Sequence, residues 1–292
     1  MEERFQKIIN YLNKNGERSI TELFDNIELG LSLATFKRIL KELLSMSLIE
    51  VIGRGKSTKY ALSPIYELIQ PINMDEYYSK EVDERQIKDS FNFALISKAL
   101  RNHDVINKDE LTKLKKIHEV YLKNISQLTE KEYSKELERL AIDLSWKSSQ
   151  IEGNTYSLLE TERLLKEKET ASGKTKEEAV MLLNHKDALD FIIENPDYLN
   201  PISVSKIEDI QSILIKELGV ERNIRKKRVG ISGTNYRPLD NEFQIKEALR
   251  NACELINSKE NPFEKALLAL VLLSYIQPFM DGNMKLPPKI GQ

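Results

Sequence analysis

The sequence contains one cysteine, three histidines and no long apolar run, and each scarcity excludes a class of protein. A single thiol, Cys253, cannot form an internal disulfide, which favours a reducing compartment and a buried, structural cysteine. The scattered His103, His118 and His185 do not have the spacing of a metal site. The most apolar run, residues 266–276, is far shorter than the roughly 20 residues that cross a bilayer. We therefore expect no disulfide framework, no histidine-based metal centre and no membrane span.

The charge balance is also close to even. The 44 Lys and Arg residues face 46 Asp and Glu residues, which gives a net charge of −2. This balance argues against nucleic-acid binding along the whole chain but leaves a local basic patch open. The N-terminal residues are charged and lack an apolar core, so we predict no secretory signal and a cytoplasmic location.

The first 45 residues have the pattern of three short helices. Apolar residues recur at helical spacing over 5–12, and Gly16 ends that helix. A second helix is predicted to begin near Thr21, which could serve as its cap. A third begins at Ser32, and its apolar residues again share one face over 36–44.

Two β-rich stretches follow these helices. Residues 48–52 and 58–62 flank a glycine-containing turn, which predicts a hairpin. Three helices and a hairpin are the order of a winged helix-turn-helix, which we assign to residues 1–63. A linker containing two prolines is predicted at 64–82.

Basic side chains are concentrated on the third helix and the hairpin of this front domain. They are Lys37, Arg38, Lys41, Arg54, Lys56 and Lys59. The acidic residues set against them in the same stretch are Glu42 and Glu50. A recognition helix in the major groove with basic side chains on phosphates would use this pattern, so these six residues are candidate DNA contacts. Lysine-rich helix surfaces are common and winged helices also bind proteins, so protein contact stays open as the alternative.

The rest of the chain is predicted to be a helical domain spanning 83–292. Helical patterns cover residues 83–146, 157–168, 176–194, 203–218, 242–257 and 262–276. Glycine and β-branched residues interrupt them at 224–237, where we predict a β-hairpin. Glu177, Asn184 and Ala188 share one helical face, interpreted as structural. The predicted fold class is mainly α: a winged helix-turn-helix, then an all-helical domain with a small hairpin.

A glutamate motif lies within residues 140–160. Ser148 precedes Glu152 by one helical turn, and Gly153 is positioned to end the helix. On spacing alone, this is a polar pair on a solvated face. The stretch Ser-x-Ile-Glu-Gly-Asn, however, resembles the inhibitory-helix region of Fic proteins. The resemblance implies that Glu152 is an inhibitory glutamate, which occupies an arginine that would hold the ATP γ-phosphate, and that Ser148 is its helix partner.

A second motif lies near the end of the chain. Residues 277–285 resemble the Fic signature, His-Pro-Phe-x-Asp-Gly-Asn-Gly-Arg-x-x-Arg. The resemblance implies a catalytic set at the positions of Gln277, Asp281 and Asn283, with Asp281 holding Mg²⁺ on the phosphates. The implied nucleotide-binding residues are Phe279, Gly282, Asn283 and Lys285. It further implies ATP and Mg²⁺ as cofactors and AMP transfer to a Ser, Thr or Tyr hydroxyl of a target protein.

The signature departs from the family pattern at four positions. Gln277 replaces the base histidine, and an amide does not accept a proton near neutral pH. Met284 replaces a glycine, Lys285 replaces an arginine without its bidentate fork, and Pro288 replaces the second arginine. The resemblance extends from about residue 83 to 283 and then stops. This motivates the hypothesis that the last nine residues come from a frameshift or truncation.

The predicted hairpin resembles the flap that precedes the Fic core. The resemblance implies that its edge receives the target segment by strand addition. The docking residues implied are Val229, Gly230, Ile231, Gly233 and Tyr236. An ordinary surface hairpin is the alternative on the residues alone.

Two functions follow from these patterns. The first is an autoinhibited AMP transferase of the Fic type, with activity impaired in this chain by Gln277 and the lost arginines. The second is a winged-helix DNA-binding regulator with a catalytically silent Fic domain that senses a nucleotide or a partner. The expected partners are ATP, an unidentified target protein, DNA through the front domain and a second copy of the chain.

Overall fold

The computed structural model describes residues 3–69, 72–85, 89–231 and 233–280, apart from the side chains at positions 56 and 67. Contacts divide the chain into two units. The front unit comprises Met1–Lys80 and Ser97–Lys116, and the main unit comprises Glu81–Ile96 and Ile117–Gln292. The predicted domain boundaries stay a prediction, and this division assigns residues 97–116 to the front unit.

The front unit begins with three helices and a small sheet. In chain order its first elements are α1 (Glu3–Asn15), β1 (Arg18–Ser19), α2 (Ile20–Asn26), α3 (Leu33–Ser45), β2 (Ile49–Ile52) and β3 (Lys59–Leu62). The strand order is β1-β3-β2 and both pairings are antiparallel, with Arg18 opposite Tyr60 and Ile49 opposite Leu62. The predicted helices and hairpin strands are confirmed, whereas the two-residue strand β1 was not predicted.

The cap of α2 differs from the prediction. Ser19, not Thr21, precedes the helix, and its Oγ accepts a hydrogen bond from the N–H of Glu22 at 3.3 Å. The Glu22 carboxylate accepts from the N–H of Ser19 at 2.8 Å, which completes a capping box. Thr21 lies inside α2 because the reciprocal pair fixes the helix start two residues earlier.

The helices of the front unit enclose one apolar core. Ile8, Leu23, Phe36 and Leu43 are fully buried there. Short helices α4 (Tyr66–Ile69) and α5 (Met74–Ser79) follow in the predicted linker. The linker is not simply extended, since Tyr66 and Ile69 pack against the same core.

The helical pattern predicted over residues 83–107 is confirmed only in part. The structure shows a 3-10 turn at Val82–Glu84 and a helix over residues 93–102, in which Leu95–Ala99 is a π-helix and the end is α6 (Leu100–Asn102). Asn92 stands at the start of this helix, where its side-chain oxygen accepts from the N–H of Ala94 at 3.0 Å. Such a bond satisfies a free N–H at a helix start.

The longer helices follow. They are α7 (Lys108–Ile125), α8 (Glu130–Ile151), α9 (Leu158–Glu167), α10 (Lys176–Glu194), α11 (Val204–Leu214), α12 (Glu242–Ser258) and α13 (Pro262–Ile276). Helix α10 packs against α8, α9 and α11, and α12 packs against both α11 and α13. The chain is mainly helical, as predicted, and no helix among the described residues is long and apolar enough to cross a membrane.

Buried polar residues join the helices of the main unit. Asn184 on α10 donates to the carbonyls of Leu214 and Lys216 at 3.1 and 2.7 Å, and thereby satisfies the C-terminal end of α11. Asn184 and Ala188 are buried, as predicted, whereas Glu177 is exposed because it lies in the first turn of α10. Cys253 is buried, and burial raises the pKa of its thiol to about 11, which fits a structural role.

Candidate active site

Gln277, at the position of the signature's base, ends helix α13. Its backbone is left-handed, with φ of 50°, and its N–H donates to the Leu273 carbonyl at 2.9 Å. Its side chain turns back on the helix, where Nε2 donates to the Ser274 carbonyl at 2.8 Å. The residue is only 7% exposed. The amide is therefore committed to the helix end and does not point freely into solvent.

A buried arginine holds this helix end in place. The Nε of Arg225 donates to the Gln277 carbonyl at 2.6 Å, and its N–H donates to the Pro278 carbonyl at 3.0 Å. The two remaining guanidinium nitrogens donate to the carbonyls of Lys227, at 2.9 Å, and of Leu239. One side chain thus connects two points of the segment between α11 and α12 with the first residue of the signature.

Arg225 is 2% exposed, and its described hydrogen bonds are to carbonyls. Burial lowers the pKa of the guanidinium, although an arginine stays charged in a protein. The sequence did not single out Arg225, because the basic stretch 222–228 around it indicates a solvent-exposed surface. The buried Ile224 before it is the one local sign of an inward turn.

Three aromatic rings stack beside the same helix end. The ring of Tyr275 lies between Phe91, at a centroid distance of 4.7 Å, and Tyr236, at 5.0 Å, with interplanar angles of 20° and 16°. The Tyr236 hydroxyl donates to the Tyr275 carbonyl at 2.8 Å. Burial, reinforced by Tyr275, raises the pKa of Tyr236, so this phenol stays a neutral donor.

The predicted flap hairpin is not observed as a pair of strands. Among the described residues of 224–237, which exclude position 232, no strand ladder forms. Val229 and Ile231 are partly buried, Gly230 and Gly233 are exposed, and Gly233 has a φ of +81°. The prediction was wrong because Arg237 makes its bridge with Ser90, outside the predicted hairpin.

Glu152 caps the C-terminal end of α8 and lies beside a histidine. Its Oε2 is 3.8 Å from Nε2 of His185 on α10, and both side chains are mostly buried, at 13% and 16% exposed. Gly153 follows with a φ of +91°, which favours glycine. Ser148 lies one turn earlier and is partly buried. The sequence alone does not connect His185 with Glu152, because the two residues are far apart along the chain.

The turn after Glu152 is tied to the start of α10. Asn154 donates through Nδ2 to the Glu178 carbonyl at 2.8 Å. The Glu178 carboxylate accepts from the N–H and hydroxyl of Thr155 at 2.8 and 2.6 Å, and from the N–H of Thr175 at 2.9 Å. These hydrogen bonds lower the pKa of Glu178 to about 2, the bond with the Thr155 hydroxyl contributing most. The position of Glu152 is therefore fixed from its C-terminal side.

The signature itself is described only in part. Phe279 is 3% exposed. Asp281, Gly282, Asn283 and Lys285 lie outside the described residues, so their predicted roles stay predictions. Within the described ranges, no group of three or more His, Cys, Asp or Glu residues could hold a metal ion.

The predicted DNA contacts lie in the front unit, on α3, in the turn after β2 and on β3. Lys37, Arg38, Lys41, Arg54 and Lys59 are exposed, and the Lys56 side chain is outside the description. Two of them have acidic neighbours: Lys59 pairs with Glu17 at 2.7 Å, and Arg38 lies 4.0 Å from Glu42. Glu17 could not be placed beside Lys59 from the sequence, because the two become neighbours only through the pairing of β1 with β3.

We predict that Arg225→Lys lowers the free energy of unfolding by about 1–3 kcal/mol, because an ammonium cannot reach three separate buried carbonyls. Urea unfolding followed by circular dichroism measures this loss. Arg228→Lys is the matched control, since Arg228 is 86% exposed and pairs with Asp240 at the surface. Equal effects of the two substitutions would contradict the role of Arg225.

Glu178 should make the stability of the main unit dependent on pH. Its pKa falls from 4.5 to about 2 on folding, so its contribution is complete above pH 4.5 and is lost as the pH falls towards 2. Glu178→Gln should lower the Tm by about 2–4 °C at pH 7, and the gap from wild type should narrow below pH 4.5. Thermal melts between pH 7 and 3 test this.

The neighbouring Glu177→Gln serves as the control for that experiment, because Glu177 is exposed on the same turn of α10. Its Tm should follow wild type at every pH. A constant gap between Glu178→Gln and wild type over the whole range would rule out the assigned pKa.

Comparison with known proteins gives a partial match. Residues 201–286 match the model of the Fic/DOC family, which is less than a third of the chain. Among solved structures, Fic-1 (residues 134–508) from C. elegans is 23% identical, with a TM-score of 0.48. That similarity covers 59% of this chain and 52% of the C. elegans chain. No curated protein gave a match.

The family assignment therefore rests on the matched segment and not on the structural similarity. That segment includes Arg225, Tyr236 and Gln277, and it excludes the Glu152 region and the front unit. Residues 201–286 thus match a domain of the Fic/DOC family.

Proposed function

We propose that this domain is of the AMP-transferase type, that it binds ATP with Mg²⁺, and that it does not transfer AMP in the present chain. The observation that carries the proposal is the burial and hydrogen bonding of the Gln277 side chain. Its side chain is buried and donates to the Ser274 carbonyl. A nucleotidyl transfer to a hydroxyl needs a group that removes the hydroxyl proton, and an amide cannot do so near neutral pH.

The local geometry gives a second reason to expect no AMP transfer. A group at position 277 could act as a base only if its side chain reached an acceptor hydroxyl. The contact between Nε2 and the Ser274 carbonyl holds the amide against α13, and Arg225 fixes the main chain on the other side. Rotating the amide outward would break a buried hydrogen bond.

The nucleotide-binding part of the proposal derives from the resemblance. Phe279, Gly282, Asn283 and Lys285 would hold the nucleotide, and Asp281 would hold Mg²⁺. Mg²⁺ on the phosphates would supply charge neutralisation. The fold supports this proposal in one respect: the Arg225 contacts to residues 277 and 278 fix the chain immediately before these positions.

Glu152 is proposed as the inhibitory residue of the same domain. In support, its side chain is mostly buried at the end of α8, and the Glu178 bonds fix the turn that follows it. His185 is its described neighbour, at 3.8 Å. By resemblance the glutamate would occupy an arginine, and the sequence has Pro288 where the second signature arginine stands.

We predict no AMP transfer by the wild-type chain, by Glu152→Gly or by Gln277→His. In Glu152→Gly, the loss of the glutamate frees no signature arginine, because the sequence lacks both of them. In Gln277→His, the new histidine does not restore the missing glycine and arginines of the signature. Intact mass after incubation with ATP and Mg²⁺ measures transfer, with a nucleotide-free sample as the control. An added AMP mass on the wild-type chain would disprove the silent site.

DNA binding by the front unit is the second candidate function. It is favoured by the exposure of Lys37 and Lys41 on α3 and of Arg54 in the turn after β2. Each lysine that neutralises a phosphate releases condensed counterions, so affinity would fall steeply with salt. Protein contact by the same surface is the alternative interpretation of these side chains.

Substitution of Lys37 and Lys41 together by alanine should weaken binding to a labelled mixed-sequence duplex. The slope of log affinity against log salt should fall by about 0.9 for each phosphate that the variant no longer neutralises. Lys14→Ala is the control, since Lys14 is exposed in the last turn of α1. Equal affinities for the double variant and the control would exclude this surface as the site of DNA binding.

A further inference from the structure

We propose that an apolar stripe on α8 is the surface through which this chain pairs with a second copy of itself. The stripe consists of Tyr133, Leu137, Leu140, Leu144 and Ile151. It lies in the main unit, and the proposal depends neither on AMP transfer nor on DNA binding.

Helix α8 has two apolar faces, and only one of them is buried. The buried face consists of Ala141, Ile142, Ser145 and Ser149, and α8 packs against α9 and α10. Since each residue of a helix adds about 100°, the stripe lies about 130° around α8 from this buried face. A helix that buries one face in its own domain has polar residues on its other faces. The second apolar face is therefore not explained by the packing of the main unit.

The stripe is exposed over most of its length. Leu140 and Leu144 are 49% and 45% exposed, Tyr133 and Ile151 are also exposed, and Leu137 is partly buried. The five side chains follow one line along about 27 Å of helix, at 1.5 Å per residue. A contiguous apolar patch with polar neighbours is typical of a protein–protein contact.

The spacing of the stripe indicates a helix as its partner. Successive members are four, three, four and seven residues apart, which is the alternation of a heptad seam. Lys147 occupies the one position of the seam that is not apolar. A seam of this period packs its side chains between those of another helix with the same period. The α8 helix of a second copy supplies that seam.

The stripe is complementary to itself in the antiparallel direction. A two-fold interface uses the same patch in both copies, so the patch must match its own reverse. With the axis at residue 142, Leu140 faces Leu144 of the second copy, and Tyr133 faces Ile151 of the second copy, because each pair is equally far from the axis. Leu137 then faces Lys147, whose hydrocarbon stem can cover it.

The charges beside the stripe favour the same direction. Glu136 and Lys147 are exposed on one flank of the stripe, and antiparallel pairing brings Glu136 beside Lys147 of the second copy on both sides of the axis. Parallel pairing would instead place each of them opposite its own kind. Arg139 of the same helix donates to Oε2 of Glu136 at 3.1 and 2.8 Å, so we assign Oε1 to the lysine.

Sedimentation velocity of the full chain between about 5 and 200 µM should show a monomer–dimer equilibrium, as expected for an interface of one helix pair. Leu140→Glu should weaken the dimer at least about a hundredfold, because each leucine occurs twice in a two-fold interface. Phe243→Glu is the control, since Phe243 is 80% exposed on α12, outside the stripe, and it should dimerise as wild type does.

Charge reversal tests the direction of pairing. Glu136→Lys and Lys147→Glu should each weaken the dimer roughly tenfold, because each creates two like-charge contacts. The double variant restores opposite charges across the antiparallel interface, so its dimer should recover to near the wild-type affinity. Loss of folding cannot produce such a recovery, and circular dichroism identifies which single variants are folded.

A wild-type chain that stays monomeric at the highest concentration would overturn the proposal and leave the stripe to a different partner. Dimerisation of folded Leu140→Glu with wild-type affinity, or no recovery in the double charge variant, would overturn it as well. None of these measurements needs ATP, transfer or DNA, so a failure here is distinguishable from a failure of either proposed function.

Discussion

The end of helix α13 depends on one buried cation. The Arg225 guanidinium donates to carbonyls from three separate parts of the chain, and its own N–H binds the Pro278 carbonyl. A planar fork with several donors can satisfy carbonyls that point in different directions, whereas the point charge of an ammonium cannot. Without it, the carbonyl of Gln277 would be buried and unpaired, and residues 277 and 278 would lose their fixed position.

This constraint connects the chemistry of the site to its surroundings. Gln277 stops α13 in a left-handed conformation with its amide turned back on Ser274. Tyr275 is therefore held in register for its stack with Phe91 and Tyr236. The Glu152 turn is fixed separately through the start of α10. Two local hydrogen-bond networks thus support the two motifs of the domain. The Arg225 network uses main-chain carbonyls as acceptors, and the network at the Glu152 turn uses the Glu178 carboxylate.

Sequence periodicity was a good guide where helices bury one face, as in α1 and α3, because apolar spacing determines both the helix and its orientation. It was a poor guide where side chains bind a distant main chain. Arg225 has the sequence setting of a surface residue, yet its side chain is buried and donates to distant carbonyls. The bridge from Ser90 to Arg237 replaces a predicted hairpin. Glu152 was identified by resemblance, but its neighbour His185 could be found only from the packing of α8 on α10.

The most direct test of the central claim is hydrogen exchange at the Nε–H of Arg225, observed by NMR in the full chain. The account predicts one resolved resonance with slow exchange, since this proton is buried and bonded to the Gln277 carbonyl at 2.6 Å. It also predicts that the exposed Arg228 exchanges rapidly in the same sample. Rapid exchange at both arginines would contradict the clamp and the fixed helix end that depends on it.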